Sequence, residues 1–229
     1  MELIVDRITK QYGTKIVVDK MNLKLSKGVT GLLGANGAGK TTLMRMMCGI
    51  LKPDSGEISY DGHDVSSEEY RNILGYLPQD FGYYPEFTGK DFLMYFSALK
   101  GLNKKAAKER TEEVLDLVGL ADMGKVKIKK YSGGMKQRLG IGQALINRPE
   151  ILILDEPTVG LDPKERVRFR NLIEELGKST IVLLSTHIVS DIEHIADTVV
   201  MMRSGEIIWQ GKWDEKDGSL EDFYLKEFE

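Results

Sequence analysis

One eight-residue stretch, Gly34–Thr41 with the sequence GANGAGKT, constrains the fold of this chain more than any other. An apolar run typical of a strand, Val29–Leu33, leads directly into it, and a helical pattern from Lys40 to about Gly49 follows. Glycines at these positions let backbone N–H groups turn inward around a phosphate, and the positive end of the following helix points at the same place. The stretch therefore predicts a strand–loop–helix phosphate cradle. In such a cradle Lys40 reaches the β- and γ-phosphates and the Thr41 hydroxyl ligates Mg²⁺.

Apolar runs of strand length lie on both sides of this loop and alternate with helical patterns. Ile151–Asp155 and Ile181–Ser185 are almost uninterrupted apolar runs, and Pro163–Leu176 between them has the pattern of a helix with proline in its first turn. Such alternation is typical of a parallel sheet covered by helices on both faces. The other predicted elements are the strands Leu3–Ile8, Met21–Leu25, Glu57–Tyr60 and Ile73–Leu77, a hairpin of Val199–Met202 with Glu206–Gln210, and a helix at Leu220–Phe228.

The region between about Gly89 and Asn147 differs from its flanks because its apolar residues recur at helical spacing. These residues are Phe92, Tyr95, Phe96, Leu99, Val114, Leu115 and Val118. No strand-like run interrupts the region, so we expect a helical lobe inserted into an α/β body.

The composition bears on the compartment and on the kind of partner. Of the 229 residues, 41% are hydrophobic, which suffices for a sizeable core. The 32 Lys and Arg residues nearly balance 35 Asp and Glu residues, so the positive charge typical of nucleic-acid binding is missing and no nucleic-acid partner is expected. Cys48 is the only cysteine, which fits a reducing compartment. Without a leader pattern or a run of about eighteen apolar residues, we expect a cytosolic chain that meets a membrane only through a partner.

Two adjacent acids follow one of the buried strands. Asp155 ends the run Ile151–Asp155 and Glu156 comes next, at the carboxyl end of a strand, where open α/β sheets bind ligands. Acids often follow strands merely as solvated groups, but the phosphate cradle favours a chemical role. Asp155 would hold Mg²⁺ through water, and Glu156 would polarise a water molecule aimed at the γ-phosphate, which makes hydrolysis the expected reaction.

A second anion site is predicted at Ser132-Gly133-Gly134, directly before a helix that runs to about Asn147. Serine is a good N-cap, and the glycines leave the first N–H groups of the helix open. One phosphate cradle needs no second anion site within the same chain.

In combination, these features resemble the ATP-binding subunit of an ABC transporter over nearly the whole chain. The matching motifs, in the family's order, are Tyr12 (the aromatic residue that stacks on adenine), Gly34–Thr41 (Walker A), Gln79 (Q-loop), Ser132-Gly133-Gly134 (signature), Ile151–Asp155 with Glu156 (Walker B and the catalytic acid), Gly160-Leu161-Asp162 (D-loop) and His187 (switch histidine). The resemblance implies a P-loop NTPase core with an N-terminal antiparallel β-subdomain. It also implies one domain over 1–229, in which 1–88 and 148–211 form the α/β core, 89–147 the helical lobe and 212–229 a C-terminal helix.

The resemblance further implies the roles of individual residues toward ATP and Mg²⁺. The expected catalytic residues are Glu156, His187 and Gln79, and the expected metal ligands are Thr41, Gln79 and Asp155. The expected ATP-binding residues are Tyr12, Gly34, Ala35, Asn36, Gly37, Ala38, Gly39, Lys40, Thr41, Thr42, Ser132, Gly133 and Gly134.

The family's assembly would explain the second anion site. Two such domains bind head to tail, so that the cradle of one and the signature of the other enclose each ATP. The implied partners are a second ATPase subunit, expected to be a copy of this chain, and a transmembrane permease subunit that would hold the chain at the cytoplasmic face of the membrane. The aromatic stretch Phe81–Phe87 would receive a helix of the permease. Alternatively, its rings pack the lobe onto the body.

The match departs from the family's pattern in the signature motif. The family usually has leucine and glutamine where this chain has Tyr131 and Met135. The run Ser132–Lys136 and the ending Ser219–Tyr224 resemble the branch that exports drugs and polysaccharides. The resemblance to this branch makes export the expected direction of transport, whereas the transported solute does not follow from the sequence.

Other classes of P-loop protein remain as alternatives. A small-molecule kinase would share the cradle but needs neither Ser132-Gly133-Gly134 nor the acids at 155 and 156, and a GTPase would need an Asn-Lys-x-Asp motif, which is missing. DNA-repair relatives separate their motifs with long coiled coils, and ribosomal relatives usually carry two cassettes. A regulatory ATP-binding module that does not hydrolyse ATP is the non-enzymatic alternative, and phosphate release by the purified protein distinguishes it.

Overall fold

The computed structural model describes residues 1–213 and 218–228. Its strands are β1 (Leu3–Tyr12), β2 (Lys15–Leu25), β3 (Gly28–Leu33), β4 (Ser55–Tyr60), β5 (His63–Asp64), β6 (Leu74–Leu77), β7 (Ile151–Asp155), β8 (Ile181–Thr186), β9 (Thr198–Arg203) and β10 (Glu206–Lys212). Its α-helices are α1 (Lys40–Met47), α2 (Glu68–Ile73), α3 (Gly89–Leu99), α4 (Lys104–Leu117), α5 (Gly133–Leu145), α6 (Pro163–Gly177) and α7 (Leu220–Phe228). Of the predicted C-terminal segment 212–229, residues 214–217 and 229 lie outside the described residues.

The larger sheet has the strand order β10-β9-β3-β8-β7-β6 and is parallel except for the edge strand β10. Its register aligns the carboxyl ends of the central strands, with Leu33 beside Thr186 and Asp155 beside Ser185. The mostly parallel sheet predicted from the apolar runs is confirmed. The alignment matters for function because the phosphate loop, the acids after β7 and the residues after β8 and β6 all emerge at one edge.

The smaller sheet is antiparallel, with the order β2-β1-β4-β5, and it forms the β-subdomain that the resemblance implied. Its first two strands are longer than predicted, because β1 continues to Tyr12 and β2 begins at Lys15. Register shifts interrupt their pairing, and these residues alternate poorly between buried and exposed, so the apolar pattern missed them. The hairpin places Tyr12 directly opposite Lys15.

Helices α3, α4 and α5 occupy most of the region 89–147, all of which is described, and no strand lies within it. Local capping explains where they begin. Thr88 and Asp91 form a capping box at α3, Asn103 caps α4, and Ser132 caps α5 through a hydrogen bond from the Met135 N–H. Two short 3₁₀ turns, Ala121–Met123 and Ile128–Lys130, connect α4 to α5.

The two faces of the larger sheet belong to separate hydrophobic clusters. Leu152 and Leu154 of β7 face a cluster with α3, α4 and α5, whereas Ile151 and Ile153 face a cluster with α1 and the smaller sheet. Alternate side chains of a strand point to opposite faces, so burial on both sides requires the continuous apolar run seen in the sequence. Within the described residues, no helix is long and apolar enough to cross a lipid bilayer.

Candidate functional site

The loop between β3 and α1 adopts a conformation that only glycine allows at its last position. Gly39 has φ of 106°, in the left-handed region. A Cβ on Gly39 would lie 2.5 Å from the Val17 carbonyl oxygen. The N-terminus of α1 has no side-chain cap, so its first N–H groups stay available to a ligand.

Lys40, the first residue of α1, is 6% exposed and directs its ammonium group back toward the loop. Its Nζ donates hydrogen bonds to the Gly34 carbonyl at 2.6 Å and the Ala35 carbonyl at 3.3 Å, and lies 4.0 Å from a carboxylate oxygen of Glu156. Burial lowers the pKa of Lys40, and the negative charges of Glu156 and Asp155 oppose that shift. A phosphate in the loop would replace the carbonyl oxygens as the acceptor of these hydrogen bonds.

Asp155 ends β7 and is fully buried. Its Oδ1 accepts a hydrogen bond from the Ser185 hydroxyl at 2.6 Å, whereas its Oδ2 is buried and accepts none from the described residues. A buried carboxylate oxygen without a donor suits a cation or its bound water, and Mg²⁺ prefers oxygen ligands. Thr41 and Gln79 supply further oxygens around the same cavity. The residues present therefore fit Mg²⁺, although no group of three or more His, Cys, Asp and Glu side chains capable of holding a metal occurs within the described residues.

Glu156 has φ of 51°, which is rare for a residue with a side chain and costs about 1–3 kcal/mol. Its backbone N–H donates to the Ser185 hydroxyl at 3.0 Å, so the same serine holds both acids. The Glu156 side chain is buried, and its Oε2 lies 2.9 Å from Nδ1 of His187, the residue that follows β8. Backbone strain at a buried acid beside a histidine and a lysine is typical of a functional site.

These groups meet at a cavity of about 410 Å³. Its lining residues are Tyr12, Lys15, Val17, Asn36, Gly37, Gly39, Lys40, Thr41, Thr42, Gln79, Asp155 and Glu156. Sequence reasoning named all of them except two residues of β2: Lys15, which the β1–β2 hairpin places opposite Tyr12, and Val17. Lys15 and Val17 could have been identified if this hairpin had been recognised in the sequence. Tyr12 presents a half-exposed ring, with the Lys10 ammonium 5.8 Å from its centre.

Several predicted residues do not line this cavity. Gly34, Ala35 and Ala38 shape the loop without lining it, and His187 reaches the site through Glu156. Ser132, Gly133 and Gly134 lie at the start of α5, outside the cavity, with Ser132 and Gly133 exposed. The carboxylate of Glu165 occupies the space that a Cβ on Gly134 would need, and it pairs with Arg138 at 3.0 Å. The structure therefore separates the two predicted anion sites of this chain.

The aromatic stretch Phe81–Phe87 is less exposed than we expected. Phe81, Tyr83 and Phe87 pack against the buried cluster of the helical region, and the Tyr83 hydroxyl donates to the Lys136 carbonyl at 2.7 Å. Only Tyr84 among these four rings is exposed, at 47%. Three of the four rings are therefore only partly exposed, and their packing favours the alternative that they join the lobe to the body.

The chain is similar to several known proteins in sequence and in fold. The family model described as "ABC transporter" matches residues 18–159. The uncharacterized ABC transporter ATP-binding protein YxlF of Bacillus subtilis (strain 168) is 41% identical over 93% of this chain and 72% of its own length. The daunorubicin resistance ATP-binding protein DrrA3 of Streptomyces coeruleorubidus is 40% identical over 93% of this chain and 69% of its own length. A solved structure of an ATP-binding subunit of an ABC transporter superposes with a TM-score of 0.89 at 27% identity, covering 100% of both chains.

Proposed function

The chain belongs to the ABC transporter family of ATP-binding proteins, and from that premise we propose how its residues act on ATP and what the hydrolysis drives. As a member it binds ATP and hydrolyses it. One observation carries the assignment of roles. Glu156, buried and held in a left-handed backbone conformation, lies 2.9 Å from the His187 ring and 4.0 Å from the Lys40 ammonium at the cavity beside the phosphate loop.

In the proposed reaction, Glu156 acts as the general base. It takes a proton from a water molecule as the water oxygen bonds to the γ-phosphorus and the bond to the β-phosphate oxygen breaks. His187 orients the carboxylate, and Lys40 offsets negative charge on the β- and γ-phosphates. Lys40 needs no large movement for this, because its ammonium is already held at the loop by carbonyl groups. Gln79 would help to position the water, since it lines the same cavity.

The metal and the base of the nucleotide have separate sites in this proposal. Thr41, Gln79 and Asp155 would hold Mg²⁺, with the free Oδ2 of Asp155 as the strongest support. When bound, Mg²⁺ neutralises charge on the phosphates. Tyr12 would stack on adenine, since its ring is exposed at the cavity on the side of the smaller sheet.

We further propose that the catalytic unit is a head-to-tail dimer of two copies. Ser132 and Gly133 are exposed at the N-terminus of α5, away from the cavity of their own chain. A two-fold arrangement would bring this helix end against the phosphates in the other copy and would form two equal sites.

ATP hydrolysis by the dimer would drive solute export through a separate membrane permease. The export direction rests on the similarity to DrrA3, whose name assigns it to daunorubicin resistance, and on the signature run Ser132–Lys136. A groove of about 400 Å³ between β6 and the helical lobe, lined in part by Ile50, Tyr76 and Phe81, is the proposed seat of a permease helix. The chain would then sit peripherally on the cytoplasmic face of the membrane.

Replacing Glu156 by glutamine tests the assignment of the general base. We expect Glu156→Gln to retain ATP binding and to lose hydrolysis by roughly 10² to 10⁴, because the amide cannot take the proton. ATP should then hold the variant as a dimer in size-exclusion chromatography. Glu150→Gln is the matched control, since Glu150 lies at the opposite end of β7 and accepts a hydrogen bond from Tyr60 there. A Glu156→Gln protein that stays monomeric and fully active would refute both the base and the dimer.

A further inference from the structure

Asp191 is a buried carboxylate that the proposed reaction does not use. It is 3% exposed and ends a 3₁₀ turn, Val189–Asp191, four residues after His187. Its Oδ2 accepts a hydrogen bond from the Thr158 hydroxyl at 2.6 Å, and its Oδ1 lies 3.4 Å from the Arg166 guanidinium. Burying a carboxylate costs free energy unless its oxygen atoms accept hydrogen bonds. These two contacts therefore fix the position of the Asp191 side chain.

Thr158 connects Asp191 to the acid of the site. It follows Glu156 by two residues and is fully buried. The Asp191–Thr158 hydrogen bond therefore joins the turn after β7 to the turn after β8. The Glu156–His187 contact joins the same two turns at 2.9 Å. The two side-chain contacts and the short backbone segments between them form a closed ring.

Arg166 extends the connection to a third segment. It lies in α6, and its Nε donates to the Leu161 carbonyl at 3.3 Å in the D-loop, while its Nη1 faces Asp191. The neighbouring Arg170 donates to the Ser190 carbonyl at 3.3 Å, which anchors the same 3₁₀ turn on α6. The turn after His187 is thus held from both the Glu156 segment and the D-loop.

This ring has a consequence for Glu156 itself. The backbone of Glu156 is in a left-handed conformation that a residue with a side chain adopts at a cost, so neighbouring contacts must hold it. Ser185 holds it on the amino side, through the Glu156 N–H. On the carboxyl side, the Thr158–Asp191 hydrogen bond is the side-chain contact that fixes the turn.

We propose that Asp191 is a positioning residue for ATP hydrolysis, which keeps the Glu156 carboxylate and the His187 ring at hydrogen-bond distance through Thr158 and Arg166. The inference rests on the proposed roles of Glu156 and His187. In a purely structural role, Asp191 would only stabilise the fold. Its replacement would then not lower kcat more than it weakens the binding of ATP.

The test compares steady-state hydrolysis, ATP affinity and thermal unfolding for Asp191→Asn, Thr158→Val and Thr158→Ser. Asparagine removes the charge that faces Arg166, valine removes the hydroxyl at nearly equal volume, and serine keeps it. We expect kcat to fall roughly tenfold to a hundredfold in the first two variants, with the Kd for ATP changed by about twofold or less, because a displaced base misaligns the reaction without altering the phosphate loop. Thr158→Ser should restore most of kcat.

Asp197→Asn is the matched control. Asp197 accepts a hydrogen bond from the Val29 N–H at 2.8 Å, at the opposite end of β3 from the phosphate loop. It should lower the unfolding temperature without changing kcat measured well below that temperature. If Asp191→Asn and Thr158→Val behave like this control, Asp191 is structural only and the inference is wrong.

A double variant separates failure of this inference from failure of the proposed function. Adding Asp191→Asn to Glu156→Gln should change the residual rate by less than about twofold, since both act through the same carboxylate. A full multiplicative loss would refute the positioning role while leaving Glu156 as the base. If Glu156→Gln hydrolyses ATP at the normal rate, the proposed function itself fails, whatever Asp191 does.

Discussion

Two helix N-termini in this molecule were predicted to bind phosphate, and the structure builds them differently. The N-terminus of α1 follows Gly39 and has no side-chain cap, with the buried Lys40 at its first position and a cavity in front of it. The N-terminus of α5 follows Ser132, whose oxygen already accepts a hydrogen bond from the Met135 N–H, and it lies on the surface. The Glu165 carboxylate lies against Gly134 at this helix end and pairs with Arg138.

The difference indicates how much of each site one chain supplies. The site at α1 combines a fixed cation, open N–H groups and two acids, and so contains the parts that phosphate chemistry needs. The site at α5 offers a helix dipole and the Ser132 hydroxyl, which can still donate its own proton while it accepts from Met135. In our proposal the first site binds ATP in a single subunit, and the second acts only when another copy brings phosphates to it.

Of the two helix ends, α1 gives the larger expected effect, when its cation is removed. Lys40→Met should lower ATP hydrolysis by roughly 10² to 10³, because the methionine side chain keeps the volume but not the charge that offsets the phosphates. Nucleotide affinity of the isolated subunit, measured by fluorescence with an ATP analogue, should fall as well. Lys24→Met is the control, since Lys24 pairs with Glu2 at the surface of the smaller sheet. If Lys40→Met has normal nucleotide affinity and a normal hydrolysis rate, the proposed difference between the two helix ends is wrong.

A methyl group at α5 should have an effect only in the assembled dimer. A Cβ on Gly133 meets no atom within 4 Å in a single chain. Gly133→Ala should therefore leave the unfolding free energy within about 0.5 kcal/mol and leave ATP binding by the monomer unchanged. Hydrolysis should fall roughly tenfold, because the methyl group displaces the phosphates of the opposite copy. An unchanged rate would argue that α5 faces no nucleotide.

The smallest expected effect concerns the support of α5. Burial raises the pKa of Tyr83 to about 12, and its hydroxyl donates to the Lys136 carbonyl in the first half of α5. Tyr83→Phe should cost about 1 kcal/mol of unfolding free energy for the lost hydrogen bond. The neutral phenol is favoured in the folded chain, so its contribution is fully present below the ordinary tyrosine pKa near 10 and disappears as the pH rises through about 12.

Chemical denaturation at pH 8 and at pH 11 checks this prediction. The wild type should lose stability over that interval more steeply than Tyr83→Phe. Tyr84→Phe, with its exposed ring, should match the wild type at both pH values. Equal pH dependence in all three proteins would contradict the role of the Tyr83 hydroxyl.

The parts of the fold and site that sequence reasoning predicted are those in which neighbouring residues carry the signal. The phosphate loop is one continuous segment, so its glycines and Lys40 can be identified without any long-range information. The strands β7 and β8 are predicted closely because burial on both faces requires an unbroken apolar run. The helix starts at Ser132 and Pro163 follow from capping chemistry within three residues.

Other features could not be predicted from the sequence because the contacts that create them join distant segments of the chain. Lys15 and Val17 reach the cavity through a hairpin with register shifts, and Asp191 meets Thr158 only because β7 and β8 are neighbours in the sheet. The short helix α2 has one fully buried residue, Tyr70, and so too weak an apolar pattern to be predicted. Packing against the lobe, rather than local composition, decides that Tyr84 is exposed while Phe81 and Tyr83 are not.

The sequence by itself therefore determined the strand–loop–helix at Gly34–Thr41, the α/β class and the presence of a second helix N-terminus, which we propose to bind an anion. Tertiary structure alone decided which of these groups act together. A sheet order in which β3, β8, β7 and β6 are neighbours brings residues far apart in the chain into one site. The same order leaves Ser132 and Gly133 facing outward, because helix position depends on how buried faces pack and not on the residues at the helix end.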